Sequence, residues 1–153
     1  IREGDPLEIY TSSDGEVIFK KYSAIGEMAN SASQVAEVVT KLANCPTVVF
    51  DRDHVVAVAG VQKKEFNERR ISHGLEEFLE SRKSYVCSSP EDEKVFPVEG
   101  IDRPAIACTP ILSSGDVTGA VAFLSPSNDA TANEVQKNLI QAAAQFLGRQ
   151  IEE

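Results

Sequence analysis

At 153 residues the chain is long enough for one ordinary domain plus an attachment, and 42% hydrophobic with 25% charged residues is the composition of a folded, soluble protein. Its net charge of −9 argues against strong nucleic-acid binding by this stretch alone, because phosphate contacts demand lysine and arginine. No apolar run approaches the roughly 18 residues that a membrane span needs, and no signal peptide is visible.

The first residue is Ile1 rather than an initiator methionine, which predicts a natural start further upstream. In the opening stretch Leu7 and Ile9 alternate with polar neighbours, and Ser12-Ser13-Asp14-Gly15 supplies turn chemistry. Val17-Ile18-Phe19 makes a return strand. The prediction is a β-hairpin. A lone hairpin is marginal in water, so this one is expected to have partners.

Next, AIGEMANSASQVAEVVTKLA predicts a helix. Ile25, Met28, Ala32, Val35, Val39 and Leu42 recur at spacings of three and four, a heptad seam, with Ala29, Ala36 and Ala43 beside it. Packing on the chain's own domain and self-association are both open to such a helix. Asn44-Cys45-Pro46 ends it. TVVFDRDHVVAVAG predicts two β-branched strands around a turn at Asp51-Arg52-Asp53, closed by Gly60. VQKKEFNERR reads as a linker. Ile71, Leu75, Phe78 and Leu79 then mark a short amphipathic helix with Ser72 as its N-cap.

The Pro-, Ser- and acid-rich stretch SSPEDEKVFPVEGIDRP predicts a long mobile loop with a short strand at 94–98. AIACTPILSSGDVTGAVAFLS predicts a hairpin around Ser113-Ser114-Gly115-Asp116. Its strands are so continuously apolar that both sheet faces should be covered. A last helix is expected behind a capping box at Thr131 and Glu134. Ala132, Val135, Leu139, Ala142 and Phe146 form one stripe on it; Ile140, Ala144, Leu147 and Ile151 form another. One stripe should face the sheet and the other a partner.

Cys45, Cys87 and Cys108 are odd in number and widely spaced, so neither a zinc site nor a disulfide framework is indicated. They suit a reducing cytoplasm and read as buried, inert thiols. His54 and His73 stand alone. No H-E-x-x-H, Walker loop, G-x-G-x-x-G or G-x-S-x-G occurs, so no catalytic constellation, metal site or cofactor is expected. The basic doublets read as solvated surface, with Lys20-Lys21 kept apart because they end the hairpin.

The element order from Ala24 to Glu153 resembles a GAF domain, an α+β fold in which an antiparallel sheet carries the terminal helices on one face and a ligand pocket on the other. Gly4-Asp5-Pro6-Leu7-Glu8-Ile9 and Asp14-Gly15-Glu16-Val17-Ile18-Phe19-Lys20-Lys21-Tyr22 resemble the second half of an AbrB-type swapped-hairpin DNA-binding domain. Together they resemble the stage V sporulation protein T family. The matching stretches include Cys45 to Gly60, Ile71 to Ser84, Pro110 to Ser125 and Ala142 to Glu152.

The resemblance implies a partial swapped-hairpin head at 1–23, with its N-terminal arm missing, and a GAF-like sensor and oligomerisation domain at 24–153. It implies a cytoplasmic, DNA-binding regulator of endospore formation, activating some promoters and repressing others, and not an enzyme. The family's main DNA-contacting residues lie in the absent arm. Arg2, Lys20 and Lys21 are left as candidate phosphate contacts, which position without specifying.

A homodimer or homotetramer is expected through Ile25, Met28, Ala32, Val35, Val39, Leu42, Leu139 and Phe146. A small ligand, if bound, would meet Asp51, His54, Tyr85, Cys87, Cys108 and Thr109 near strand ends. A small-molecule sensor without direct DNA binding is the alternative. A thiol-dependent methionine sulfoxide reductase is the remote one, since Cys87 and Cys108 are expected to be able to approach each other in a GAF fold.

Overall fold

The structure, a computed structural model, describes residues 7–11, 17–21, 28–126 and 130–152. β1 (Leu7–Thr11) and β2 (Val17–Lys21) form an antiparallel hairpin, with Glu8 in register with Lys20 and Leu7 with Lys21. The Ser12–Gly15 turn, Arg2 and Ile25 lie outside the described residues. Then come α1 (Ala29–Ala43), β3 (Thr47–Asp51), β4 (Val55–Ala59), α2 (Lys63–Phe66) and α3 (His73–Ser81). β5 (Tyr85–Val86), β6 (Ala105–Ser113), β7 (Asp116–Leu124) and α4 (Glu134–Glu152) complete the order.

β3 to β7 make one five-stranded antiparallel sheet in the order β4-β3-β7-β6-β5. Side chains alternate across it with the period of two that a pleated strand imposes. On β7, Val121 and Phe123 enter one core, while Ala120, Ala122 and Leu124 enter the other. The first core is closed by α1 and α4 through Ala32, Ala36, Ile140 and Leu147. The second is closed by Phe66 of α2, Leu75 and Leu79 of α3, and Val98 and Ile101. Covering both faces explains why the strands read as unbroken apolar runs. This is the GAF-like architecture that the sequence led us to expect.

Local chemistry sets the boundaries. Asn44 takes the left-handed conformation (φ 58°) as C-cap of α1 and donates its N–H to the Thr40 carbonyl. Ser72 caps α3, its Oγ accepting from Leu75 N–H at 3.1 Å. Ser114 (φ 50°) and Gly115 (φ 85°) both lie in the left-handed region between paired Ser113 and Asp116, a two-residue turn whose twist suits a hairpin.

Four expectations are corrected. The supposed linker contains α2, because Phe66 gives it a fully buried anchor. The stretch 94–98 forms no strand. It contributes isolated bridges, Val95 to Ala105 and Val98 to Ile71. The acid-rich loop is not detached: Val98 and Ile101 are buried, and Ser72 N–H and Glu99 N–H bond the carbonyls of Pro97 and Arg70. Burial of those apolar side chains outweighs the polarity of their neighbours. The capping box of α4 is Asn133 and Gln136, two residues beyond the predicted pair. Asn133 N–H donates to Gln136 Oε1 at 2.9 Å, and Gln136 N–H to Asn133 Oδ1 at 2.8 Å.

Candidate functional site

The six candidate pocket residues do not converge. Asp51 and His54 sit at the β3–β4 turn, near one edge of the sheet. Tyr85 and Cys108 are register partners at the opposite edge, with β7 between. Asp51 is 4% exposed, and its Oδ1 accepts from the N–H groups of Asp53 (2.7 Å) and His54 (2.8 Å) and lies 3.1 Å from His54 Nδ1. A carboxylate accepting two backbone N–H groups within its own turn, with an imidazole beside it, organises that turn.

Tyr85 packs its ring edge-on to Phe78 at 5.6 Å and donates its hydroxyl to the Glu93 carbonyl at 2.8 Å. Burial first, and then neighbouring Cys87, Asp92 and Glu93, push the phenol above its ordinary range. Thr109 follows Cys108, so strand alternation turns it to the other face.

The two cysteines are likewise separated. Cys108 belongs to the core beneath α3, whereas Cys87 belongs to the core beneath α1 and α4. Cys87 accepts Ala132 N–H on its carbonyl at 2.9 Å, and its Sγ reaches the Ser89 carbonyl at 3.3 Å. The two thiols thus enter different buried clusters, which does not bring them together as a pair. Burial pushes Cys108 up to about 12 and Cys45 up to about 11, the latter against a hydrogen bond from Gln136. Both stay protonated thiols at neutral pH.

The sheet face under α2 and α3, where a pocket was expected, is filled from within: Phe50, Phe66, Leu75 and Ala120 have no exposed surface. A cleft of about 100 Å³ instead runs along β4, between Ser33 of α1 and Lys63 and Asn67 at α2. It contains none of the predicted pocket residues. No motif announces it: its lining is mostly apolar strand residues, Val55 to Val58. Among the described residues, no group of three His, Cys, Asp or Glu could hold a metal ion, and no helix is long and apolar enough to cross a membrane.

The helical layer presents the larger unfilled surface. On α1 the inward stripe is Ala32, Ala36, Val39 and Ala43. Ala32 (0% exposed) and Val39 (7%) are thus taken up by the chain's own core and are withdrawn from the predicted interface. The period of 3.6 turns a different set outward: half-buried Val35, then exposed Val38 and Leu42. Met28 is half-buried at the start. On α4, Ile140, Ala143, Ala144 and Leu147 face inward. Val135 and Phe146 are exposed and Leu139 is half-buried. Val38 and Val135 belong to this surface but were absent from the predicted interface. The signal for Val38 is its position three residues after Val35 and four before Leu42.

Known proteins agree with this architecture. Residues 27–152 match the family model for the stage V sporulation protein T C-terminal, transcription factor. The chain is 39% identical over 155 residues to stage V sporulation protein T of Bacillus subtilis (strain 168), covering 100% of this chain and 85% of that one. Two solved structures share the fold at low identity. The GAF domain of the nutrient sensor CodY from Clostridium difficile is similar at 14% identity, over 78% of this chain and 83% of that one, with a TM-score of 0.53. A free methionine-R-sulfoxide reductase from Thermoplasma acidophilum is similar at 10% identity, over 83% and 94%, with a TM-score of 0.59. A match spanning most of the chain, with 39% identity along its whole length, makes this protein a member of the stage V sporulation protein T family of transcription factors.

Proposed function

We propose that this chain is the assembly domain, and part of the DNA-binding head, of a regulator of endospore formation that activates some promoters and represses others. The observation that carries the assembly role is the outward apolar surface of α1 and α4. Val38, Leu42, Val135 and Phe146 are each at least half exposed, on a layer whose inward side is already packed. A surface of that kind calls for a partner. A second copy of the chain is the partner that a homo-oligomeric regulator supplies.

In this reading residues 1–23 belong to an AbrB-type swapped-hairpin head, completed by residues upstream of Ile1 and by a second chain. Arg2, Lys20 and Lys21 add phosphate contacts. Pairing of the helical layers joins two such heads into a homotetramer. The net charge of −9 over the whole chain supports a reading in which the main DNA contacts lie outside the GAF-like domain.

Two other readings are weaker. A small ligand on the α3 face would have to displace fully buried Phe66 and Leu75. A sulfoxide reductase would need accessible, ionisable thiols, and Cys108 is neither. The likeness to the reductase from Thermoplasma acidophilum concerns the fold.

The deciding experiment is a DNA titration of the complete gene product beside this chain at two salt concentrations. Binding by the complete product alone, weakening steeply with salt, is the expected result. No binding by either removes the regulator reading.

A further inference from the structure

We infer that Gln136 is a positioning residue. It clasps the N-terminal end of α4 to the C-terminal end of α1, and so brings Leu42 and Val135 into one outward apolar face. The use of that face rests on the self-association proposed above; the clasp itself does not.

Gln136 is 7% exposed, a polar residue in a seam otherwise made of alanine, valine, isoleucine and leucine. Its Nε2 donates to the Ala43 carbonyl at 3.0 Å. Ala43 is the last residue of α1, so its carbonyl has no partner within the helix. At the same time Gln136 Oε1 accepts from Asn133 N–H at 2.9 Å, closing the first turn of α4. One side chain thus satisfies both helix ends, and it also lies against the Cys45 thiol.

The surrounding geometry gives the clasp work to do. The seam is rich in small side chains, Ala32, Ala36, Ala43, Ala143 and Ala144, beside the larger Val39, Ile140 and Leu147. The far end of α4 is seated by Gly148, where an added Cβ would lie 2.3 Å from the Leu112 carbonyl oxygen. The segment before α4 is tied to the sheet edge, by Ala132 N–H to the Cys87 carbonyl at 2.9 Å. Gln136 supplies a hydrogen bond between the two helices at their near ends. Leu42 (61% exposed) and Val135 (57%) are the immediate chain neighbours of Ala43 and Gln136. A buried polar side chain that fixes how helices meet is a known use of such groups.

Gln136→Leu tests this, because it keeps bulk and burial while removing both polar contacts. The full chain is followed by hydrogen exchange and by light scattering. The expected result is exchange about tenfold faster at 40–44 and 133–139 with β3 and β7 unchanged, and an association constant lowered about tenfold. Gln136→Met serves as the second variant and should behave alike. Unchanged exchange at the two helix ends overturns the clasp. So does an equal rise across β3 and β7, or failure of both variants to fold, since each makes Gln136 an ordinary core residue. A wild-type chain that stays monomeric at every concentration removes the self-association reading instead, and the exchange pattern alone then decides the clasp.

Discussion

Cys87 and Cys108 enter different buried clusters: Cys108 pairs in register with Tyr85 beneath α3, and the Cys87 carbonyl accepts Ala132 N–H at the entry to α4. A disulfide needs Cβ atoms about 4 Å apart on vectors that meet. Strands fixed in a hydrogen-bonded sheet do not offer that. The native chain should therefore show no thiol-dependent reduction of free methionine sulfoxide. Its three cysteines should react with an aromatic disulfide reagent only after denaturant is added. Turnover, or rapid labelling of Cys87 and Cys108 in the native state, would contradict this placement.

The same burial makes stability depend on alkali. The Cys45 and Cys108 thiols, with ordinary values of 9.0, are raised to about 11 and about 12 in the folded chain. The unfolded chain therefore loses those protons first as pH rises. Between pH 9 and pH 11 the unfolded state binds fewer protons, so stability falls with pH, by up to about 1.4 kcal/mol per unit for each thiol. Thermal melts from pH 7 to 11 should be flat to about pH 8.5 and then decline. Cys108→Ser exchanges the ionising thiol for a group that does not titrate there, so its decline should be shallower. An equal slope in that variant would assign the effect elsewhere.

The parts of this fold that could be read from sequence are those governed by local chemistry. Ser114–Gly115 announced a tight turn, Ser72 announced a cap, and β-branched runs announced strands, because each signal sits within a few residues of its effect. The parts that could not be read depend on distant residues. A heptad pattern makes Ala32 and Val39 look like an interface, yet a helix shows only its periodicity and not which stripe meets a sheet whose strands come later in the chain. Phe66 hid among charges for the same reason, since its burial partners come from other elements. Residue type and strand-end position suggest a pocket, but the strand order puts those residues at opposite edges of the sheet.

Asp51 illustrates the difference between a ligand residue and a turn residue. Its carboxylate accepts two backbone N–H groups while almost wholly buried. Asp51→Ala should lower stability by about 2–3 kcal/mol, the range for hydrogen bonds to a charged acceptor that leave buried donors unpaired. Asp51→Asn keeps one acceptor oxygen and should cost about half as much. Urea unfolding checks both. A neutral Asp51→Ala variant would return Asp51 to the list of binding residues.

Gly119 gives a steric test of the β3–β7 register. A Cβ built there would fall 2.0 Å from the Phe50 carbonyl oxygen, a backbone atom that cannot step aside. Gly119→Ala should therefore destabilise the chain by about 3 kcal/mol, the upper part of the overpacking range. Gly115→Ala, at the hairpin tip with nothing within 4 Å, should cost only the strain of its positive φ, about 1 kcal/mol. Equal melting points for the two variants would refute the register.

The outward stripe of the helical layer separates assembly from folding. Val38→Asp and Leu42→Asp put charge on side chains that are 57% and 61% exposed, so the single chain should fold within about 0.5 kcal/mol of wild type. The same charges would be buried against a second copy, where an unpaired carboxylate is strongly disfavoured. Light scattering should then show a smaller assembly with an unchanged circular dichroism spectrum. Ala36→Leu has the opposite signature. It overpacks a residue with no exposed surface, lowers stability by about 1–3 kcal/mol, and leaves the outer face intact. If Leu42→Asp leaves the mass unchanged while Ala36→Leu reduces it, the face that pairs is not the one formed by Val38, Leu42, Val135 and Phe146.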